Sequence, residues 1–163
     1  MNKQCILYTD GACSGNPGVG GWAYSLHINI DELINNNVNL IDNEKALCIL
    51  DSNGYDSHTT NNKMELTSVI RGLSKALSFK CVQVTLYTDS TYVQLGLTKW
   101  LNSWVRNNWQ TSDKKEVKNI DLWQELYDIK NKILLEVIWV KAHSGNYWNE
   151  HVDKLAKNII LVQ

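Results

Sequence analysis

The hydrophobic period of this chain changes once, near Thr60, and that change limits the folds open to it. Before it, apolar residues fall in short runs. Residues 4–9 read as a buried strand, residues 22–28 as a second, and a third lies within residues 44–51. Residues 11–21, rich in glycine around Asn16 and Pro17, read as a turn-rich loop. Residues 29–43 read as an Asn- and Asp-bearing excursion, and residues 52–57 as a polar loop. After Thr60 the spacing becomes helical. Leu66, Val69, Ile70, Leu73, Ala76 and Leu77 form an apolar stripe on a helix that starts near Asn61 and Asn62. Val82 to Thr88 alternates as a strand. Val93, Leu97, Trp100, Leu101 and Trp104 make a second stripe, and Leu122, Leu126, Ile129 and Ile133 a third. Leu135 to Val140 is a strand, and Val152, Leu155, Ala156 and Ile159 mark a last helix. Three strands followed by alternating helix and strand predict an α/β sheet with an antiparallel half and a parallel half.

A length of 163 residues suits one domain, taken here as 1–163. With 44 % hydrophobic and 20 % charged residues, the chain can bury an ordinary core. A net charge of −1 lacks the positive excess common in nucleic-acid binders, so any such binding must rest on a local patch. Cys5, Cys13, Cys48 and Cys81 include no Cys-x-x-Cys pair and resemble no disulfide framework. A reducing compartment is expected. The N-terminus carries no basic-then-apolar signal pattern. No apolar run approaches the roughly 20 residues needed to cross a bilayer. These readings predict a cytoplasmic protein without membrane contact.

Two of the strands end in aspartate. Asp10 closes the first and Asp89 the strand before Ser90. Each alone reads as a turn or cap residue. Neighbouring parallel strands would set both at the sheet edge where α/β folds bind ligands. Glu65 lies in the first turn of its helix and borders the buried stripe. Asp153 sits beside Val152 and Ala156 on the last helix. Singly, Glu65 reads as complementing the helix dipole and Asp153 as a solvated side chain. Together, clustered carboxylates repel one another unless a cation lies among them. Oxygen ligands select Mg²⁺ or Mn²⁺ over zinc. A pair of such ions about 4 Å apart suits phosphodiester cleavage.

The neighbourhoods of these residues resemble the type 1 ribonuclease H family. The matching pieces are Thr9-Asp10-Gly11 with Cys13 and Gly15-Asn16-Pro17-Gly18, then Thr59-Thr60-Asn61-Asn62-Lys63-Met64-Glu65-Leu66. Thr88-Asp89-Ser90 with Tyr92-Val93 follows, then Trp139-Val140-Lys141-Ala142-His143-Ser144-Gly145 and Asn149-Glu150 with Asp153 and Leu155-Ala156. All occur in order over nearly the whole chain. The resemblance implies a ribonuclease H-like α/β fold with a five-stranded mixed sheet flanked by helices. It implies that Asp10, Glu65, Asp89 and Asp153 hold two Mg²⁺ ions, replaceable by Mn²⁺, with Asp10 shared. His143 would assist proton transfer or product departure, and Glu150 would be an acidic helper. The implied activity is cleavage of the RNA strand of RNA–DNA hybrids by a monomer, during DNA replication and repair.

The same resemblance assigns the substrate contacts. Asn16, Thr60, Asn61 and Asn62 would meet the minor groove or backbone of the hybrid, and Cys13 the DNA strand. Residues 99–118 carry Lys99, Arg106, Lys114, Lys115 and Lys118 against Asp113 and Glu116, a local +3. In the family this stretch is a basic protrusion that grips DNA. Trp100 and Trp104 are interleaved with it, although helical spacing also fits them to the core. Here the stretch is diluted by Val105, Asn107 and Asn108, and Thr91 replaces a common glutamine. The connection at about 29–58 is longer than usual. A binder that had lost cleavage would not need all four carboxylates and His143. Other nucleases of the superfold lack the Thr-Thr-Asn-Asn helix start. A phosphatase using Asp10 as nucleophile would want an acid at position 12, which is Ala12.

Overall fold

Strand pairing in the first third of the chain builds a longer antiparallel unit than the apolar runs alone suggest. The computed structural model describes residues 3–29 and 47–163. Strand β1 (Lys3–Gly15) and strand β2 (Gly18–Asn29) form a hairpin that turns at Asn16 and Pro17, with Gly15 opposite Gly18. The run 11–21, expected as a loop, is therefore mostly paired strand. Its glycines serve close packing rather than flexibility. A Cβ on Gly11 would lie 2.5 Å from the Met64 carbonyl carbon, and one on Gly21 would strike the Ala156 carbonyl oxygen. Only Gly15, at φ +86°, needs glycine for its backbone angle.

Strand β3 (Leu47–Thr59) pairs antiparallel with β2 and forms one edge of the sheet. The polar stretch 52–57, expected as a loop, lies inside it. Its backbone bonds go to β2, while Asn53, Tyr55, Asp56 and Ser57 are exposed. The start of the expected third strand and most of the long connection lie outside the described residues. Strand β4 (Cys81–Thr88) runs parallel to β1, and strand β5 (Leu134–Trp139) parallel to β4. The five-stranded order is β3-β2-β1-β4-β5, a mixed sheet with the two predicted halves. Cys5 and Cys81 form a disulfide between β1 and β4, against the expectation of free thiols, whereas Cys13 and Cys48 are free. Sequence spacing hid this pair because parallel pairing brings together residues 76 positions apart.

The larger core lies on one face of the sheet. Helix α1 (Asn61–Ser78) buries Leu66, Val69, Ile70, Leu73 and Ala76 against Leu7, Leu26 and Leu86. Thr60 caps it, its Oγ1 accepting from the Lys63 N–H at 3.3 Å. The second stripe folds as helix α2 (Thr91–Leu95), a π-helical turn (Gly96–Trp100) and helix α3 (Leu101–Arg106). Helix α4 (Ile120–Lys130) carries Trp123, wholly buried, whose Nε1 donates to the Tyr92 hydroxyl at 2.9 Å. Ile133 follows α4 rather than ending it. Helix α5 (Tyr147–Leu161) covers the opposite face through Val152 and Ala156, which meet Ala23. Among the described residues, no helix is long and apolar enough to cross a membrane.

Candidate active site

Parallel pairing sets Asp10 and Asp89 side by side, although Asp10, expected to close its strand, lies inside β1, which runs on to Gly15, and only Asp89 follows a strand end. Tyr8 lies opposite Tyr87, so Asp10 and Asp89 both follow two residues later at the same sheet edge. Glu65 reaches them from the first turns of α1. The glycine at position 11 lets that helix approach, and its N–H bridges two carboxylates. It donates to Asp10 Oδ1 and to Glu65 Oε1, each at 2.9 Å. Carboxylate oxygens of Asp10, Glu65 and Asp89 lie within 4.8 Å of one another. Asp153, on α5, approaches from the other face, outside that close group, and its charge acts on Asp89. Lys157 Nζ lies 3.0 Å from Asp153 Oδ2, one helical turn on.

Crowding and burial dominate the electrostatics. Burial pushes Asp10 far above the ordinary carboxylate range, and the charges of Glu65 and Asp89 add to it. Glu65 is raised by burial and by Asp89, although hydrogen bonds from Asp10 and the Gly11 N–H pull it down. Asp89 is raised by burial; the hydrogen bond from Asn149 opposes this and the Asp153 charge reinforces it. Each shift disfavours the fully ionised cluster. Glu65 Oε2 is buried and has no hydrogen-bond partner among the described residues. An all-oxygen cluster with an orphaned buried carboxylate oxygen fits a hard divalent cation, which would satisfy that oxygen and neutralise the repulsion.

These shifts give the pH effect its sign. The ordinary values are 3.8 for Asp10 and 4.5 for Glu65, and both rise on folding. The metal-free folded state therefore holds protons that the unfolded chain has released, and stability falls as pH rises above those values. His27 works the other way, since burial lowers it below 6.5 and costs stability on the acid side. Comparison with Asp10→Asn isolates the cluster. The melting temperature of Asp10→Asn minus that of the unaltered protein, measured in EDTA, is expected to grow from pH 5 to pH 8. A difference that shrinks over that range would contradict these shifts.

The remaining predicted residues fall in three places. Asn16, Thr60, Asn61 and Asn62 gather where the hairpin tip meets the start of α1, with Asn16 Oδ1 accepting from the Asn61 N–H at 3.3 Å. Cys13 lies nearby, half-buried, its Sγ 3.4 Å from the Thr59 carbonyl oxygen. His143 is exposed on the loop between β5 and α5, at φ 54°, and its charge acts on Asp89. Glu150 is half-buried in the first turn of α5. Lys114, Lys115 and Lys118 are exposed on the irregular segment before α4. Trp104 packs at 5.3 Å on Trp123 and is partly core, while Trp100 lies between Trp104 and Tyr92, 5.9 Å from each ring. Thr91 is exposed at the start of α2.

Two supports of Asp89 were not foreseen. Asn149, buried on α5, donates through Nδ2 to Asp89 Oδ2 at 3.3 Å, and Trp139 Nε1 donates to the Asp89 carbonyl at 3.0 Å. Both residues stand in the motifs quoted from the sequence, and the four-residue step from Asn149 to Asp153 places those two on one helix face.

Known proteins resemble this chain over nearly its whole length. The RNase H family profile matches residues 2–160. A protein named Ribonuclease H from Wolbachia pipientis wMel is 48 % identical over 159 residues, spanning 98 % of this chain and 97 % of that protein. Another of the same name, from Francisella tularensis subsp. novicida (strain U112), is 47 % identical, with 97 % and 91 % covered. Among solved structures, LC9-RNase H1, a type 1 RNase H with the type 2 active-site motif, superposes with a TM-score of 0.81 at 27 % identity, covering all of this chain and 74 % of that one. LC11-RNase H1, solved in complex with RNA/DNA hybrid, shares the fold at 20 % identity and a TM-score of 0.66, with 97 % of each chain covered.

Proposed function

The chain belongs to the ribonuclease H family, and from that membership we propose that it hydrolyses the RNA strand of RNA–DNA hybrids with two Mg²⁺ ions, which Mn²⁺ can replace. The products carry 5′-phosphate and 3′-hydroxyl ends. In this reading it acts as a cytoplasmic monomer, one catalytic domain spanning residues 1–163, that removes RNA during DNA replication and repair. The observation that carries the reading is the mutually repelling set of Asp10 and Glu65, both buried, and the half-buried Asp89, with Glu65 Oε2 unpartnered among the described residues. Such a set destabilises the metal-free fold and is accounted for by a function that needs it.

Asp10, Glu65, Asp89 and Asp153 would hold the ions. When bound, they supply charge neutralisation at the scissile phosphate and acidify the attacking water. The Gly11 N–H fixes the angle between the Asp10 and Glu65 carboxylates, and Asn149 fixes Asp89. His143, exposed and within electrostatic reach of Asp89, is suited to carry a proton to or from the reacting centre. Asn16, Thr60, Asn61 and Asn62 offer short polar groups to the minor groove, where 2′-hydroxyls distinguish RNA. Such recognition reads shape, so cleavage should be largely independent of sequence. The test is the chemistry of the ends: products must be ligatable at a 5′-phosphate, and 2′,3′-cyclic phosphate ends would refute the reading.

The basic segment supplies a second expectation. Replacing Lys114, Lys115 and Lys118 together by Gln is expected to weaken hybrid binding and to flatten its salt dependence. The log–log slope should fall by about 0.9 for each phosphate that is no longer neutralised. With only a local +3, binding should already be weaker, and its salt slope shallower, than in a strongly basic relative. Unchanged affinity and slope in the triple variant, by titration between low and physiological salt, would remove this segment from the interface.

A further inference from the structure

Among the described residues, the wholly buried apolar contacts between helix α5 and the sheet are small, Ala23, Val152 and Ala156, with Tyr8, Ala12 and Leu155 packed partly buried around them. Small side chains allow close approach but interlock little, so they resist sliding and rotation weakly. Directional contacts from β3 supply what this packing lacks. Asp51 Oδ2 lies 2.7 Å from His151 Nε2, and Asn53 Nδ2 donates to the Leu155 carbonyl at 3.1 Å. The two β3 residues share one strand face, and they meet α5 one turn apart. Behind them, the Ser25 side chain hydrogen-bonds Asp51 and lies 2.9 Å from Nε2 of the buried His27. The His27 ring stands edge-on to Trp148 at 4.3 Å, and Trp148 to His151 at 5.3 Å. The contacts thus run from β2 through β3 into the first two turns of α5.

His151 and Asp153 are separated by about 200° around the helix axis. The anchor grips one side of α5 while the carboxylate leaves toward the other. At a helix radius of about 5–6 Å, a rotation of about 10° moves a side-chain tip by roughly 1 Å. A misplacement of about 1 Å at a reacting centre can cost on the order of 100-fold in rate. We propose that Asp51 and His151 are positioning residues: together they fix the rotation of α5, and so the place of Asp153 and Asn149 against Asp10 and Asp89. For its kinetic consequence, this inference rests on the hydrolytic reading above.

Asp51→Asn, His151→Gln and the double variant test it in two assays. Calorimetric titration of the free protein with Mg²⁺ reads the carboxylate cluster without turnover, and steady-state hydrolysis of a hybrid separates kcat from KM. Each single variant is expected to weaken Mg²⁺ binding about 10-fold and to lower kcat about 10-fold, with KM for the hybrid within about twofold. The double variant should be no worse than either single one, because both remove the same interaction. Mg²⁺ affinity within about twofold of the unaltered protein in both single variants would overturn the proposal, whatever happens to thermal stability. An unaltered protein that binds Mg²⁺ but leaves hybrids intact would sink the hydrolytic reading alone, with the calorimetric comparison still deciding the positioning role. No Mg²⁺ binding by the unaltered protein would sink both.

Discussion

Asp10→Asn is expected to cut hybrid hydrolysis by about three orders of magnitude or more while making the metal-free protein more stable. The two effects share one cause. Asp10 is buried at the centre of the cluster and repelled by Glu65 and Asp89. An amide keeps its shape and its acceptor for the Gly11 N–H but removes the charge. Losing that charge from the cation site forfeits several kcal/mol of transition-state stabilisation, and about 4 kcal/mol is a factor of about 10³. In the absence of cations the same change relieves repulsion and burial cost, so the melting temperature in EDTA should rise by a few degrees. Activity lost together with stability would instead mark Asp10 as a structural residue.

Gly11→Ala should be the most damaging small substitution near the site. Its Cβ would press into the backbone of α1, against the Glu65 nitrogen and 2.5 Å from the Met64 carbonyl carbon. Backbone cannot swing aside as a side chain does, so the hairpin and α1 must separate. Overpacking of this kind costs about 1–3 kcal/mol, or more where nothing can yield. At about 2–4 °C per kcal/mol for a domain of this size, the melting temperature should fall by about 4–10 °C. Glu65 would move with its helix and the shared Gly11 N–H would shift, so kcat should drop on the order of 100-fold in the molecules that remain folded. A variant with unchanged melting temperature and activity would show that α1 does not pack on Gly11 as described.

The helices were legible because their buried stripes recur at helical spacing, as Leu66 to Ala76 on α1 shows. Strands β4 and β5 were legible as apolar runs between helices. The hairpin was misread because Gly11, Gly15, Gly18, Gly20 and Gly21 look like loop punctuation, and only the packed fold shows that most of them make room for α1 and α5. The polar half of β3 was misread because an edge strand needs no apolar side chains when one neighbour satisfies its backbone. At the site, Asp89 could be foreseen from a strand end, whereas Asp10, expected at one, lies inside β1, and the flanking motifs joined Glu65 and Asp153 to them. The shared Gly11 N–H, the Asn149 bond to Asp89 and the Asp51–His151 contact could not, since each depends on distances between elements far apart in sequence.

Strand selectivity tests the central claim most directly. An RNA–DNA hybrid with distinguishable labels on its two strands is incubated with the protein and Mg²⁺, alongside RNA–RNA and DNA–DNA duplexes of the same sequence. The carboxylate cluster and the contacts assigned to the minor groove predict internal cuts in the RNA strand of the hybrid only, abolished by EDTA. Cleavage of the DNA strand, or RNA cleavage that persists in EDTA, would contradict the account.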